Sequence, residues 1–174
     1  DKSWSWCALS LNPNITCDIV RANPNLPWSW YALSRNPNLT FDMVLANLGE
    51  PWNWYYVSQC PDITFETVLA NPKLPWDWNG LSQNPNITID IVLAHPEIKW
   101  DWYAFSINPN ITADILRANS NRPWNWSYLS ETSLITFDMV MAHPTKTWNW
   151  ECLSRNPNLT FDIIMKNLNK PWFW

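Results

Sequence analysis

The sequence predicts an all-α chain built as an α-solenoid, and three observations carry that prediction. All sixteen tryptophans fall into pairs that recur every 24 residues without a slip. A helix-capping residue stands twice in each repeat, once between the tryptophans and once ahead of an apolar run. Proline, in Asn-Pro or His-Pro, then marks where helices must stop.

Each complete repeat opens on the first tryptophan of a pair: Trp4, Trp28, Trp52, Trp76, Trp100, Trp124 and Trp148. Trp172 opens a partial eighth, so residues 1–174 read as a single repeat domain of seven 24-residue units. Between the tryptophans stands Ser, Asn or Asp (Ser29, Asn53 and Asp77 are examples), with Phe173 the exception. Such side chains accept a hydrogen bond from the first free helical N–H groups, so a helix should begin at the second tryptophan. The tryptophan before the cap and the apolar residue at the fourth helical position, Leu33, Val57 or Leu81, form a hydrophobic staple.

An Asn-Pro-Asn turn follows, as at Asn36–Asn38 and Asn84–Asn86. A threonine comes next in all seven repeats, from Thr16 to Thr160, preceded by Ile or Leu. This is a second cap with a second staple. An acid two residues later, from Asp18 to Asp162, suits the positive end of a helix dipole, and that explains the acidic column better than catalysis does. An extended connection then leads to the next tryptophan. Each helix is expected to run about 6–8 residues, or roughly 9–12 Å, too short to stand alone.

Two rival repeat folds fail. Leucine-rich repeats need an LxxLxL strand that is absent, and parallel β-helices rely on glycine, of which only Gly49 and Gly80 occur. The stretch ITIDIVL has strand propensity, but two capped starts in every repeat outweigh it.

Tryptophans at repeat-invariant positions belong to the stacking surfaces. One repeat buries too little to offset the entropy of ordering itself, so neighbours must share their tryptophans. The competing reading is an exposed aromatic ladder that binds glycans or single-stranded nucleic acid. A net charge of −4 and the lack of any Lys/Arg cluster argue against the nucleic-acid version. No apolar run is long enough to span a membrane.

Cys7, Cys17, Cys60 and Cys152 share no spacing, which suits free thiols in a reducing compartment rather than a disulfide-forming secretory route. His95 and His143 stand where other repeats carry Asn at the end of the second helix, and too few ligands surround them in sequence for a metal site. The asparagines at 14, 38, 86, 110, 125 and 158 match the glycosylation sequon, but turns and caps account for each. No nucleophile–base pair or phosphate loop occurs, so neither an enzyme nor a cofactor is expected.

Function is left to the positions that vary. Two columns four residues apart on the first helix pair as Tyr31/Arg35, Tyr55/Gln59, Asn79/Gln83, Tyr103/Ile107, Ser127/Glu131 and Glu151/Arg155. Tyr and Arg are favoured at binding hot spots. The candidate partner-binding residues are therefore Tyr31, Arg35, Tyr55, Gln59, Asn79, Gln83, Tyr103 and Arg155, against the plainer reading of a solvated face. The sixth repeat reads LSETSLIT, and its turn at 131–134 is expected to be looser.

The combination of PWDW, LSxNPNIT and DIVLANP resembles the tryptophan-rich short repeats of multi-copy proteins in mimivirus-like giant viruses of amoebae, and the resemblance covers the whole chain. It implies a viral structural or interaction protein acting in the host cytoplasm or the virion, with no catalytic residues or cofactor. The chain opens without methionine, from which a processed product or a piece of a longer array is expected. The tryptophan pairs Trp4/Trp6 and Trp172/Trp174 at its two ends lead to a further expectation of head-to-tail self-association. The expected role is a non-enzymatic scaffold for an unknown protein partner or for assembly, with the glycan- or nucleic-acid-binding aromatic ladder as the alternative.

Overall fold

In the computed structural model, which describes residues 4–173, the chain is all-helical, with fourteen short helices and no strand among the described residues. It divides into two compact bodies, Asp1–Asp101 and Trp102–Trp174. In the first body the helices that follow a tryptophan pair are α1 (Trp6–Ser10), α3 (Trp30–Leu33), α5 (Trp54–Gln59) and α7 (Trp78–Gln83). They alternate with α2 (Cys17–Ala22), α4 (Phe41–Ala46), α6 (Phe65–Ala70) and α8 (Ile89–Ala94). In the second body α9 (Trp102–Phe105), α11 (Trp126–Leu129) and α13 (Trp150–Ser154) alternate with α10 (Ala113–Ala118), α12 (Phe137–Ala142) and α14 (Phe161–Lys166).

Every first helix begins at the second tryptophan, and every second helix begins after the threonine. The caps do what their chemistry allows. Ser29 Oγ accepts from the Ala32 N–H, and Asp77 Oδ1 accepts from the Gly80 N–H at 2.7 Å. Thr40 and Thr64 accept from Met43 and Thr67 in the same way. Thr16 is the one second-helix cap without such a bond. Most helices run six residues, the lower end of the expected length, while some first helices, such as α3 at four, are shorter. The residue before proline sets the limit: Asn84 is extended (φ −67°, ψ 133°), so α7 ends at Gln83, six residues after the cap.

The staple positions form the core. Leu33, Val57 and Leu81 of the first helices and Val44, Val68 and Val92 of the second are buried in the first body, as are Phe105, Leu129, Leu116 and Val140 in the second. First tryptophans are buried from Trp28 onward, whereas Trp4 is 71% exposed. Each first-tryptophan ring lies edge-on to the second tryptophan of the preceding repeat: Trp54–Trp76 at 5.4 Å and 90°, Trp78–Trp100 at 5.4 Å and 88°, Trp102–Trp124 at 5.0 Å and 89°. An edge-to-face pair places ring hydrogens on a π-face and adds to the area buried.

The indole N–H of each first tryptophan also has a fixed task. Trp28, Trp76 and Trp124 donate to the carbonyls of Asn23, Asn71 and Asn119, which end the preceding second helices. Trp100 and Trp148 do the same to His95 and His143. The acceptor is backbone, so Asn and His serve equally there, in keeping with the helix-end reading of both histidines. The turn of the sixth repeat keeps its backbone hydrogen bonds, some of them lengthened. Its Thr132 N–H to Leu129 carbonyl bond of 2.9 Å matches the Asn36–Leu33 bond of 3.0 Å, and the Thr132 hydroxyl adds a further bond to Leu129. The Ile135–Thr132 bond, at 3.3 Å, and the Glu131–Tyr128 bond, at 3.2 Å, are each longer than their counterparts, such as Leu39–Asn36 and Arg35–Ala32 at 3.0 Å.

Candidate functional site

Repeats within a body are joined by side-chain hydrogen bonds to backbone. The serine ending each first helix accepts from the backbone N–H of the next repeat's cap, 19 residues on: Ser34 from Asn53, Ser58 from Asp77, Ser130 from Asn149. The same hydroxyl can donate back to its own helix, as Ser82 does to the Trp78 carbonyl at 2.6 Å.

The asparagines of the NPN turn do more than turn the chain. Asn84 Nδ2 donates to the Ser58 and Cys60 carbonyls, and Asn86 Nδ2 to those of Pro61 and Ile63. Asn36 donates to the carbonyls of Ser10 and Asn12, and Asn156 and Asn158 repeat the arrangement in the second body. The carbonyl of the first asparagine side chain meanwhile accepts from the N–H of the second, as Asn84 does from Asn86. One amide thus closes its own turn and clamps the turn before it. It also uses up the nitrogens of the sequon residues Asn38, Asn86 and Asn158.

The ladder is broken at the third repeat, where Cys60-Pro61-Asp62 replaces Asn-Pro-Asn, and at the sixth, where Thr132 and Leu134 stand in place of the two asparagines. A carboxylate cannot donate, so Asp62 accepts instead, taking the Phe41 N–H at the start of α4 at 2.7 Å. Cys60 donates its thiol to the Leu39 carbonyl at 3.2 Å. Burial pushes the pKa of that thiol up; the Asp62 backbone N–H opposes the shift and the Asp62 carboxylate adds to it. Among the described residues no asparagine amide reaches the carbonyls of Ser34, Asn36 or Pro37.

Two adjoining clefts of about 250 and 610 Å³ open at this junction, sharing Pro37, Leu39, Cys60 and Pro61. The smaller is rimmed by Arg35, Tyr56 and Gln59. Tyr56 stands where neighbouring repeats have Ala32 and Gly80. Its ring gathers Tyr31 (6.0 Å) and Tyr55 (5.0 Å) edge-on, and the Arg35 guanidinium lies 5.0 Å from its centroid. That distance is within cation–π range.

The predicted partner-binding residues therefore divide. Tyr31 and Arg35 are exposed beside the cleft, with Tyr31 at 51%. Tyr55, Gln59 and Gln83 are half-buried in one polar cluster: Gln83 Nε2 donates to the Tyr55 hydroxyl at 3.1 Å, and Gln59 Nε2 donates to Gln83 Oε1 at 3.1 Å. Asn79 is exposed but bridges Gln83 and Asp101. In the second body Tyr103 is 63% exposed, with Ile107 and Tyr128 also open, and Arg155 pairs with Glu151. Sequence reasoning missed Tyr56. The signal for it was a double departure, a tyrosine in a column of mostly Ala and Gly alongside lost asparagines, which the sixth repeat shares with Tyr128, Thr132 and Leu134.

Among the described residues no His/Cys/Asp/Glu group could hold a metal ion, and no helix is long and apolar enough to cross a membrane. Compared with protein-family models, curated proteins and solved structures, the chain matches none.

Proposed function

We propose that the chain is a non-enzymatic α-solenoid of seven repeats that serves as a scaffold for a protein partner, gripped on the first-helix face around Tyr31, Arg35 and Tyr56. One observation carries this reading. The junction of the second and third repeats lacks its amide clamp and leaves an open cleft lined by the Arg35 cation, the Tyr56 ring and hydrogen-bonding groups such as Gln59. Aromatic and Arg anchors beside polar groups are the usual chemistry of a protein interface.

The alternative, an aromatic ladder for glycan or nucleic acid, has less support. From Trp28 onward the first-tryptophan rings are buried, edge-paired, and committed through their N–H groups to backbone carbonyls. The likeness to giant-virus repeats adds that the partner belongs to the host cell or the particle. The test is affinity capture from amoebal lysate with the wild-type chain and with Arg35→Ala/Tyr31→Ala in parallel, alongside tryptophan emission. Proteins held by the wild type and lost by the variant are expected, together with blue-shifted emission that single-stranded DNA and chito-oligosaccharides leave unmoved. Emission shifted by either ligand would favour the ladder.

A further inference from the structure

The second helices carry a surface that the first-helix reading does not use. On α4, α6 and α8 an acid is followed three residues later by leucine: Asp42/Leu45, Glu66/Leu69 and Asp90/Leu93. That spacing places both on one helix face. All six residues are exposed, Leu69 to 55%. Consecutive repeats of this body are joined by the same serine-to-cap bond at the same separation of 19 residues, so the three dyads follow one another in one register.

The chain itself shows how such a dyad is neutralised. At the leucine position α2 carries Arg21, which pairs with Asp18 at 3.2 Å, and α10 in the second body carries Arg117, paired with Asp114 at 2.7 Å. Where leucine replaces that arginine, the acid has no salt bridge among the described residues. The result is a row of exposed leucines bordered by a row of unneutralised carboxylates. Anionic lipid and nucleic-acid phosphates are repelled by such a row, whereas a polypeptide with lysines or arginines between apolar residues satisfies both rows.

We propose that the outer faces of α4, α6 and α8 form a docking surface for a basic, amphipathic polypeptide segment. Its apolar side chains seat on Leu45, Leu69 and Leu93, and its cations pair with Asp42, Glu66 and Asp90. This surface is separate from the first-helix face and stands without it.

The test uses the whole chain and a fluorescent synthetic peptide with leucine and lysine at helical spacing, read by anisotropy. The control peptide carries glutamate in place of lysine. The lysine peptide is expected to bind, to weaken about tenfold from low to high salt, and to outcompete the glutamate peptide. Leu69→Arg recreates the self-paired dyad that α2 and α10 already accommodate, so it should fold, as circular dichroism would show, and weaken binding about tenfold. Asp42→Asn/Glu66→Gln/Asp90→Asn should remove the salt dependence, while Arg35→Ala should leave binding unchanged. Equal binding of the two peptides, no binding of either, an unaffected Leu69→Arg chain, or equal weakening by Arg35→Ala would overturn the proposal.

Discussion

Two neighbouring junctions of the first body differ in one layer of chemistry. Between the third and fourth repeats, Asn84 and Asn86 donate four hydrogen bonds to the preceding turn, and Asn84 is fully buried. Between the second and third, Cys60 and Asp62 supply one thiol bond and one accepted N–H, and clefts open. Both junctions keep the edge-to-face tryptophan pair, Trp30–Trp52 at one and Trp54–Trp76 at the other, and both keep the serine-to-cap bond. Aromatic burial therefore holds the repeats together at both junctions, and the amides decide how tightly the turns close.

The comparison can be broken most severely at the tryptophans. Trp52→Ala and Trp76→Ala should each cost about 4 kcal/mol. Urea unfolding should find the two costs alike, because this layer is common to both junctions. A large gap between them would mean that the aromatic layer also differs. Next comes Asn84→Ala, which strips buried carbonyls of their donor and should cost about 3 kcal/mol. Cys60→Ala at the matching position should cost clearly less, since only a thiol bond is lost.

Gly80→Ala is expected to cost about 2 kcal/mol, because overpacking against backbone is poorly relieved. A Cβ there would lie 2.4 Å from the Tyr55 carbonyl oxygen, so the laddered junction packs α7 directly onto α5. The smallest effect is that of pH. Burial favours the neutral Cys60 thiol in the folded chain, so its contribution is complete below the ordinary thiol pKa of 9.0 and is lost as pH rises through the raised folded value. Urea midpoints between neutral and alkaline pH should fall more for the wild type than for Cys60→Ala.

Helix starts were legible in the sequence because a cap and a staple are local: Asp77 tells its own next three residues what to do. The amide ladder was not, although its residues were in view. Asn84 before Pro85 reads as a turn, and its partners are backbone carbonyls about one repeat away, which carry no side-chain signature. The indole bonds were hidden for the same reason. Of the variable first-helix residues, Tyr31, Arg35 and Tyr103 are exposed, whereas Asn79 and Gln83 bond to neighbouring side chains. A variable column records only that different side chains are tolerated; it does not distinguish those facing water from those repairing a neighbour.

The central claim is that the lost amides, rather than any difference in tryptophan packing, leave the second–third junction more open than the third–fourth. Urea unfolding of Cys60→Asn/Asp62→Asn, which restores the ladder, tests this most directly. The account predicts a gain of about 1–2 kcal/mol over the wild type; an unchanged or lower stability would contradict it.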